Sequence, residues 1–503
     1  MCKLCEEAAR DRQGSGASRR DFLKAGAAAG AAAGIGTGAG VRGAAAQTSD
    51  LPDGIGQPGR RTLIKGGYVM SMDAEVGDFA PGDVLLEGDR IVEVAAQIEA
   101  EDAAVIDARG RVVMPGFVDT HLHQFETGLR SFLADGILVD DGRPENEVNY
   151  FDTILQQLSM VYRPDDVYIN ELFGSLSQID AGVTTVMDVS QIHHSPEHSD
   201  AAIEALRAAG RRAAFGYFEG WGEDARYPGD AERIRREHFG SDDGLLTMVM
   251  GGEIYLPGHE EAWRIGRELG LPVALHVVGT FGMADTFDAL AEEGAFGPDN
   301  IFIHMTGMSE MAWRRAAEAG AHVSLAVPIE MQMRHGTPPI QTAIDHGMSL
   351  SLSSDVECTM SADMFTQMRG YMTLQRMFAN EKALAGEDYP QLLTSRDALR
   401  TATVGGAEGL GLADRTGTLT PGKQADIILL DATAVNVAPL NFVPGAVVTL
   451  MDRSNVETVL VAGQVRKWRG ALQGVDLARL RSDLEASRDY LFEAAGVARD
   501  YFG

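Results

Sequence analysis

The sequence carries, at the end of an apolar run, the stretch Met114-Pro115-Gly116-Phe117-Val118-Asp119-Thr120-His121-Leu122-His123. Side chains alternate between the two faces of a β-strand, so His121 and His123 lie on the same face. Two imidazoles on one face at the end of an apolar strand can point at one ion. This stretch therefore predicts a buried strand that ends in a pair of metal ligands.

Seven further apolar runs of strand length follow, and amphipathic helical stretches separate several of them. Eight buried strands that alternate with helices favour an α/β fold of the (β/α)8 TIM barrel type. A doubly wound sheet is the alternative, but the chain lacks the glycine-rich phosphate loop that would support it. The eight runs are residues 112–119, 183–189, 213–218, 245–250, 273–278, 301–305, 323–327 and 350–354. The helical stretches are residues 200–209, 260–269, 283–293 and 310–319.

Both flanks of the predicted barrel are rich in short strands and turns. This pattern extends from Arg61 to Asp107 and again from Gly417 to Arg469. Two β-rich segments at opposite ends of a chain can pair into one small composite β-sandwich. We therefore predict a signal peptide at residues 1–46, a β-sandwich built from residues 47–112 and 411–472, a barrel at residues 113–410 and a C-terminal helix within residues 473–503.

Polar residues end three more of the apolar strands. His276 ends the fifth strand, His304 the sixth and Asp355 the eighth. In a parallel barrel these strand ends meet at one face, where catalytic groups lie. A lone strand histidine is more often structural, but an ordered set of polar strand ends would be costly to bury without a partner. Three imidazoles and a carboxylate suit one divalent ion, Zn²⁺ first, with Fe or Mn as alternatives.

The chain of 503 residues is acidic, with 43 Lys plus Arg against 73 Asp plus Glu and a formal net charge of −30. Phosphate groups would be repelled by such a surface, which argues against binding to nucleic acids or anionic membranes. The three cysteines, Cys2, Cys5 and Cys358, cannot form a disulfide framework. A hydrophobic content of 45% predicts a globular protein with a substantial core.

The N-terminal segment has the features of a twin-arginine export signal. The residues of that signal occur in order in Ser18-Arg19-Arg20-Asp21-Phe22-Leu23-Lys24. An Ala/Gly-rich stretch follows and ends in an A-x-A cleavage site at Ala46. This stretch is too short and too weakly apolar to anchor the protein in a membrane. We therefore expect the twin-arginine translocase as a partner, export in folded form, and a periplasmic or extracellular location.

Two stretches of the sequence resemble the amidohydrolase superfamily, in its branch of cytosine, guanine and S-adenosylhomocysteine deaminases and triazine hydrolases. They are the stretch quoted at the start and the later stretch Gly417-Thr418-Leu419-Thr420-Pro421-Gly422-Lys423-Gln424-Ala425-Asp426. The resemblance covers nearly everything after residue 60. It implies a small-molecule substrate, a homodimer, and His304 beside the attacking water. Asp355 would take a proton from that water and pass it to the leaving group, while His304 would steady the hydroxide or the developing oxyanion. The implied metal ligands are His121, His123, His276 and Asp355.

The lysines favour a centre with one metal. Many members of the superfamily bridge two metals with a carboxylated lysine, but no lysine occurs between Arg111 and Asn380. Glu253 after the fourth strand, or Glu219 after the third, could bridge a second ion in principle. Their simpler interpretation is as loop carboxylates or substrate contacts, and the sequence therefore favours one ion.

The chain departs from the related deaminases after the fifth strand. Those relatives carry His-x-x-Glu, whose glutamate protonates the heterocycle, whereas this chain reads His276-Val277-Val278-Gly279. Glycine has no proton to donate. Glu330, at the end of the seventh strand, is the candidate for a substitute acid, although it could equally cap the following helix.

Three functional hypotheses follow. The first is a hydrolase whose single Zn-like ion activates water against a non-peptide C–N bond in an amide or cyclic amide, because Asp355 alone can serve both proton transfers there. The second is a deaminase or dechlorinase of a nitrogen heterocycle, with Glu330 as the acid. The third is a catalytically inactive metal-binding protein. The retention of all four ligands and of His304 argues against this third hypothesis.

Overall fold

A computed structural model describes residues 51–52, 54–57, 59–240 and 244–502 of the chain. The predicted signal peptide at residues 1–46, which includes Cys2 and Cys5, lies outside the described residues. From Leu51 onward the chain forms one compact unit. None of the helices in the described part is both long and apolar enough to cross a bilayer.

The strands belong to two sheets, a barrel built from β6 to β13 and a mixed sheet built from the others. In chain order the strands are β1 (Arg61–Met70), β2 (Asp78–Glu87), β3 (Arg90–Ala95), β4 (Ala104–Asp107), β5 (Arg111–Pro115), β6 (Phe117–Leu122), β7 (Val183–Ser190), β8 (Arg212–Tyr217), β9 (Leu246–Gly251), β10 (Val273–Val278), β11 (Asn300–Thr306), β12 (His322–Leu325), β13 (Ser349–Leu352), β14 (Ile427–Asp431), β15 (Val456–Val461), β16 (Gln464–Trp468) and β17 (Ala471–Leu472).

The barrel consists of eight parallel strands, each paired with the next along the chain. A parallel bridge between Leu122 and Asp355 joins its two ends. At this seam His123 N donates to Asp355 O at 2.8 Å, and Asp355 N donates to His121 O at 2.9 Å. The predicted (β/α)8 barrel is therefore confirmed, and its closure brings the end of β6 beside the residues that follow β13.

Helices connect the barrel strands and cover them. The helix at Glu310–Ala319, which has the predicted bounds, begins where Ser309 Oγ accepts a hydrogen bond from Ala312 N and ends at Gly320, with φ 74°. In chain order the α-helices are α1 (Pro164–Asp180), α2 (Pro196–Ala209), α3 (Ala231–His238), α4 (His259–Glu268), α5 (Ala284–Glu293), α6 (Glu310–Ala319), α7 (Val327–Gln332), α8 (Ile340–Asp345), α9 (Met364–Ala385), α10 (Ser395–Arg400), α11 (Gly406–Gly409), α12 (Val443–Thr449) and α13 (Leu477–Ala495).

The mixed sheet joins the two flanks of the chain. Its strand order is β17-β16-β15-β14-β5-β1-β2-β3, with β4 beside β1. The two flanks meet where β14 pairs antiparallel with β5, so that Ile428 lies opposite Met114. The two flanks therefore pair into one composite unit, as the sequence predicts, and the strands of the predicted β-sandwich form a single mixed sheet. Its hydrophobic cluster includes Ile64, Val84, Val113, Ile427 and Leu460.

A buried ion pair joins the mixed sheet to the barrel. Arg212, the first residue of β8, donates from Nε to Asp426 Oδ2 at 2.8 Å, and both side chains are 0% exposed. Arg212 also donates to Gln424 Oε1 at 2.8 Å, while Asp426 accepts a hydrogen bond from Ala462 N at 2.7 Å. These contacts fix the segment that leads into β14 against the barrel.

The first predicted barrel strand, residues 112–119, is two strands in the structure. The chain leaves the mixed sheet at Pro115 and enters the barrel at Phe117. Gly116 lies between them, and a Cβ atom there would come within 2.2 Å of the Thr184 side chain, so a larger residue does not fit. The predicted boundary between residues 112 and 113 therefore falls inside β5 rather than between the two sheets.

Candidate metal centre and active site

Five polar side chains meet at one end of the barrel. His121 lies in β6 with His123 just after it, His276 in β10, His304 in β11 and Asp355 after β13. His121 Nε2 lies 3.0 Å from His123 Nε2 and 3.1 Å from His276 Nε2. Asp355 Oδ1 lies 3.6 Å from the Nε2 atoms of both His121 and His123, and Asp355 Oδ2 lies 3.5 Å from His304 Nε2. The barrel thus brings together the residues that the sequence singles out at its strand ends.

Hydrogen bonds on the far side of two rings orient their Nε2 atoms toward this centre. His123 Nδ1 donates to Val189 O at 2.9 Å, and His276 Nδ1 donates to Glu253 Oε1 at 2.5 Å. Each Nε2 atom then presents a lone pair. A tetrahedral Zn²⁺ with Zn–N distances near 2.0–2.1 Å separates its nitrogen ligands by about 3.3 Å, close to the spacing of these atoms. The donor set and its partners therefore fit a divalent metal ion.

Burial controls the charge of these groups. It lowers the pKa of His121, His123 and His304 well below the usual value, and neighbouring imidazoles lower the pKa of all three as well. Burial also acts to lower the pKa of His276, but the charge and the hydrogen bond of Glu253 outweigh it and raise that pKa. Burial raises the pKa of Asp355 to about 7, with His276 acting in the opposite direction. Neutral imidazoles are the form that binds a metal ion.

Two of the five residues have a strained backbone. His304 has φ 71° and Asp355 has φ 65°, values in the left-handed region that few residues other than glycine adopt. Each such conformation costs about 1–3 kcal/mol and persists only where the surrounding structure imposes it. Asp119 helps to hold the backbone next to Asp355 in place. Its carboxylate accepts hydrogen bonds from Ser354 N at 3.1 Å and from Gln178 Nε2 at 2.6 Å. Strain of this kind is typical of functional sites.

The two carboxylates considered as bridges to a second ion have other partners. Glu253 is fully buried and holds His276 through both its ring and its backbone N–H. Glu219 accepts hydrogen bonds from Gln191 Nε2 at 3.0 Å and from Tyr255 Oη. Within the described residues, the groups that could hold an ion are two overlapping trios that share His121, namely His121-His123-His276 and His121-His304-Asp355. This arrangement favours a single centre.

We expect the variant Glu253→Ala to bind metal about 10–100-fold more weakly, because His276 then loses the partner that orients its ring. Glu253→Gln keeps an acceptor oxygen for His276 Nδ1 and should lose less. Competition with a chromogenic chelator measures both dissociation constants. Glu219→Gln is the matched control, since Glu219 is also a buried carboxylate but bonds to no residue of the centre. An equal loss of affinity in Glu219→Gln would contradict the role of Glu253.

Glu330 lies behind His304 rather than at the end of a strand. The strand β12 stops at Leu325, shorter than the predicted run to residue 327, and Glu330 falls within α7. Its Oε1 accepts a hydrogen bond at 2.9 Å from the N–H of Ala326, the residue before α7, so Glu330 bonds to the start of its own helix instead of capping a following one. Because Oε1 is thereby an acceptor, His304 Nδ1 donates to it at 3.2 Å. Glu330 is fully buried and does not line the cavity described next, so it can act on a substrate only through His304.

A narrow cavity that opens to solvent lies directly above the centre. His123, His276, His304 and Asp355 form part of its wall. Most of the remaining wall is apolar, and three aromatic residues in it contact one another in edge-to-face geometry, with Phe281 5.1 Å from Phe151 and 5.7 Å from Tyr255 between ring centroids. The described lining contains no lysine or arginine and one carboxylate, Asp355. Such a cavity suits a small uncharged planar molecule.

Sequence reasoning missed His335, which also lines this cavity. The residue follows α7 rather than ending a strand, so the search for polar strand ends does not find it. Its ring centroid lies 4.6 Å from that of His304, nearly perpendicular to it. Burial lowers the pKa of His335 to about 3, with His276 acting in the same direction, so the ring is neutral at neutral pH.

The Amidohydrolase family matches residues 112–466 of the chain. The 5'-deoxyadenosine deaminase of Methanosarcina mazei is 27% identical over 424 residues, which cover 80% of this chain and 92% of that protein. The 5-methylthioadenosine/S-adenosylhomocysteine deaminase of Pelotomaculum thermopropionicum is 25% identical over 444 residues, or 84% of this chain and 97% of that protein. These matches agree with the resemblance drawn from the sequence motifs.

Solved structures share the fold. A zinc-bound adenosine deaminase of Xanthomonas campestris has a TM-score of 0.74 and 23% identity, and the match covers 86% of this chain and 98% of that one. An atrazine chlorohydrolase of Arthrobacter aurescens complexed with zinc has a TM-score of 0.74 and 21% identity, with coverage of 85% and 100%. At these identities the likeness shows the fold alone.

The N-terminal segment matches a known export signal. Residues 16–36 match the signal sequence of the twin-arginine translocation pathway, which confirms the predicted leader. The protein is therefore exported in folded form to the periplasm or beyond.

Proposed function

The chain belongs to the amidohydrolase family, and from that premise we propose that it is a hydrolase with one Zn²⁺ that removes an amino group from a carbon atom of an uncharged nitrogen heterocycle. The observation that carries the proposal is the convergence of the five strand-end residues at the base of a cavity with aromatic walls. The deaminase names of the relatives add support, and they place the heterocycle ahead of the amide that the sequence alone favoured.

His121, His123, His276 and Asp355 would hold the ion. When bound, a divalent ion supplies Lewis acidity, which makes water a nucleophile at neutral pH. His304 orients the attacking water: its Nδ1–H is donated to Glu330, so its Nε2 is free to accept a hydrogen bond. The acceptor atom in this proposed role is His304 Nε2, which lies 3.5 Å from Asp355 Oδ2.

Asp355 would move the proton. Its Oδ2 atom is buried and has no hydrogen-bond partner in the described part of the chain, so it is available to the water and to the leaving group. The carboxylate accepts a proton as the water adds to the ring carbon, and it donates that proton to the amino nitrogen as the C–N bond breaks. Ammonia and a hydroxylated heterocycle are the products.

An amide or cyclic amide is the second candidate. Gly279 favours it, because hydrolysis of an amide needs no acid from the fifth strand when Asp355 serves both proton transfers. Anilides and lactams separate the two candidates, because hydrolysis of an anilide releases an amine and hydrolysis of a lactam opens its ring, whereas an aminoheterocycle releases ammonia.

The test uses the exported protein loaded with Zn²⁺ and a panel of aminopurines, aminopyrimidines, aminotriazines, anilides and lactams. We expect at least one aminoheterocycle to release ammonia. A coupled assay measures the ammonia, and mass spectrometry identifies the other product. Asp355→Asn should lower kcat by at least about 10²-fold with that substrate. Turnover of anilides or lactams alone would replace the first candidate by the second, and full activity of Asp355→Asn would contradict the proposed proton route.

The variant Glu330→Gln separates two roles of Glu330. A glutamine oxygen can still accept hydrogen bonds from Ala326 N and His304 Nδ1, so we expect kcat to change by less than about 10-fold. If Glu330 were instead the acid that protonates the substrate, the loss would be about 10²–10⁴-fold. Steady-state kinetics with the substrate found by the panel distinguishes these outcomes.

A further inference from the structure

His335 contributes to the cavity wall but has no role in the mechanism described above. The residue is 4% exposed, and neither Nδ1 nor Nε2 has a hydrogen-bond partner in the described part of the chain. Leaving a buried polar group without a partner is unfavourable. A neutral imidazole offers one N–H donor and one lone pair. The ring is therefore placed to bind a polar group of a molecule that enters the cavity.

The backbone of His335 is held in place from two barrel strands. Its carbonyl oxygen accepts hydrogen bonds from Thr306 Oγ1 at 2.8 Å, at the end of β11, and from Thr280 Oγ1 at 3.1 Å, just after β10. Gly336 follows with φ 136°, and a Cβ atom there would lie 3.2 Å from Thr306 Cβ. The backbone of His335 is thus anchored to the same strand ends that carry His276 and His304, which holds the residue beside the centre.

The same strand ends crowd the position of a side chain at Gly279. A Cβ atom on Gly279 would lie 3.0 Å from Thr306 O and 3.2 Å from Gly307 Cα, so the main chain of β11 crowds the place where a larger residue would begin. Thr280, the next residue, contacts the carbonyl of His335. Beyond His276, the wall beside β10 therefore receives its polar group from His335.

The rest of the cavity limits what His335 can bind. Phe151, Tyr255 and Phe281 provide aromatic surface for a flat ring. Gln191 Oε1 is a second buried polar atom of the wall without a partner in the described residues, and it can only accept a hydrogen bond. A donor and an acceptor beside aromatic rings match the edge of a nitrogen heterocycle, which carries both ring nitrogens and N–H groups.

We propose that His335 is a catalytic residue whose imidazole N–H donates a hydrogen bond to the ring nitrogen next to the carbon that water attacks. This inference rests on the proposed function and names a group that the substrate must carry. As the O–C bond forms, the electron pair of the ring C=N bond moves to that nitrogen and one proton of the water goes to Asp355. As the pair returns, the C–NH₂ bond breaks and the proton on Asp355 leaves with ammonia. His335 keeps its proton throughout and stabilises the charge that develops on the ring nitrogen.

The test compares two unreactive probes of the same outline, purine and benzimidazole. Benzimidazole has C–H groups where purine has the nitrogens of its six-membered ring. Isothermal titration calorimetry with the Zn-loaded protein should show at least about 10-fold tighter binding of purine. His335→Phe keeps a flat ring without nitrogen and should abolish this preference, whereas His335→Gln restores a donor and should recover part of it. Met333→Leu, in the same wall, should keep the preference, and metal content and thermal unfolding check that each variant is folded and loaded.

Turnover gives a second readout. With the substrate found by the panel, His335→Phe should lower kcat by about 10²–10³-fold at unchanged metal content. An unchanged purine preference in His335→Phe, or no measurable binding of purine to the wild type, overturns the role of His335. If no heterocycle is turned over by the wild type while the purine preference still depends on His335, the proposed reaction fails and the binding role stands. If the wild type and His335→Phe turn a heterocycle over equally well, the reaction stands and the catalytic role of His335 fails.

Discussion

Replacing His121 by alanine is expected to abolish metal binding and turnover together. His121 Nε2 lies within 3.1 Å of both His123 Nε2 and His276 Nε2, and His121 belongs to both trios that could hold an ion, so its loss leaves no complete set of ligands. Water without a metal ion has a pKa of 15.7 instead of about 7, which removes the nucleophile at neutral pH. We therefore expect activity to fall by at least about 10⁴-fold.

Metal analysis and kinetics on the same preparations test this expectation. The wild type should hold about one ion per chain and His121→Ala almost none. His346→Ala is the matched control, because it also removes an imidazole but from the outer surface, where His346 contacts Glu310. Circular dichroism establishes that both variants are folded. Two tightly held ions in the wild type would contradict a single centre, and an active, metal-loaded His121→Ala would contradict the assigned ligands.

The variant Asp426→Ala is expected to lower the free energy of unfolding by about 3–5 kcal/mol. Arg212 and Asp426 are both fully buried, so the substitution leaves the guanidinium charge inside the protein without its partner. Ala462 N also loses its acceptor. Because this pair joins the barrel to the mixed sheet, the loss should affect both parts in one transition.

Denaturant unfolding followed by far-UV circular dichroism and by tryptophan fluorescence measures the effect. The double variant Arg212→Met/Asp426→Leu replaces the pair by apolar side chains and should recover much of the stability, since the uncompensated charge is then absent. Glu261→Ala is the control, because it breaks an exposed ion pair with Arg264 and should change the free energy of unfolding by less than about 1 kcal/mol. If Asp426→Ala were no more destabilising than Glu261→Ala, the buried pair would not hold the two parts together.

The barrel and the strand-end residues could be predicted from the sequence. Parallel strands that helices cover on the outside are apolar almost throughout, so they are recognisable as runs. A histidine at the end of such a run, as at His276 or His304, stands out because its burial is costly without a partner. The spacing of His121 and His123 adds the common face. These features are local in the sequence, and local features are the ones that a single sequence reveals.

The remaining features of the site depend on contacts between distant segments. Glu253 and Glu219 both follow barrel strands, and only the folded chain distinguishes the one that reaches His276 from the one that reaches Tyr255. The role of Glu330 depends on where β12 stops, a boundary that the apolar run does not fix to the residue. His335 lies beyond the following helix and carries no periodic signal. Its place in the cavity wall depends on the two threonines that hold its carbonyl oxygen.

The pairing of β5 with β14 has a consequence for the order of events during synthesis. These strands are hydrogen-bonded neighbours although the whole barrel lies between them in the sequence. Until the ribosome has made β14, the nascent chain exposes one edge of β5, and pairing over such a distance is slow. The export signal emerges first, yet the pathway that it addresses carries folded proteins. The mixed sheet can therefore reach its native pairing only after β14 has been made, so the folded form that this pathway carries requires the C-terminal flank of the chain.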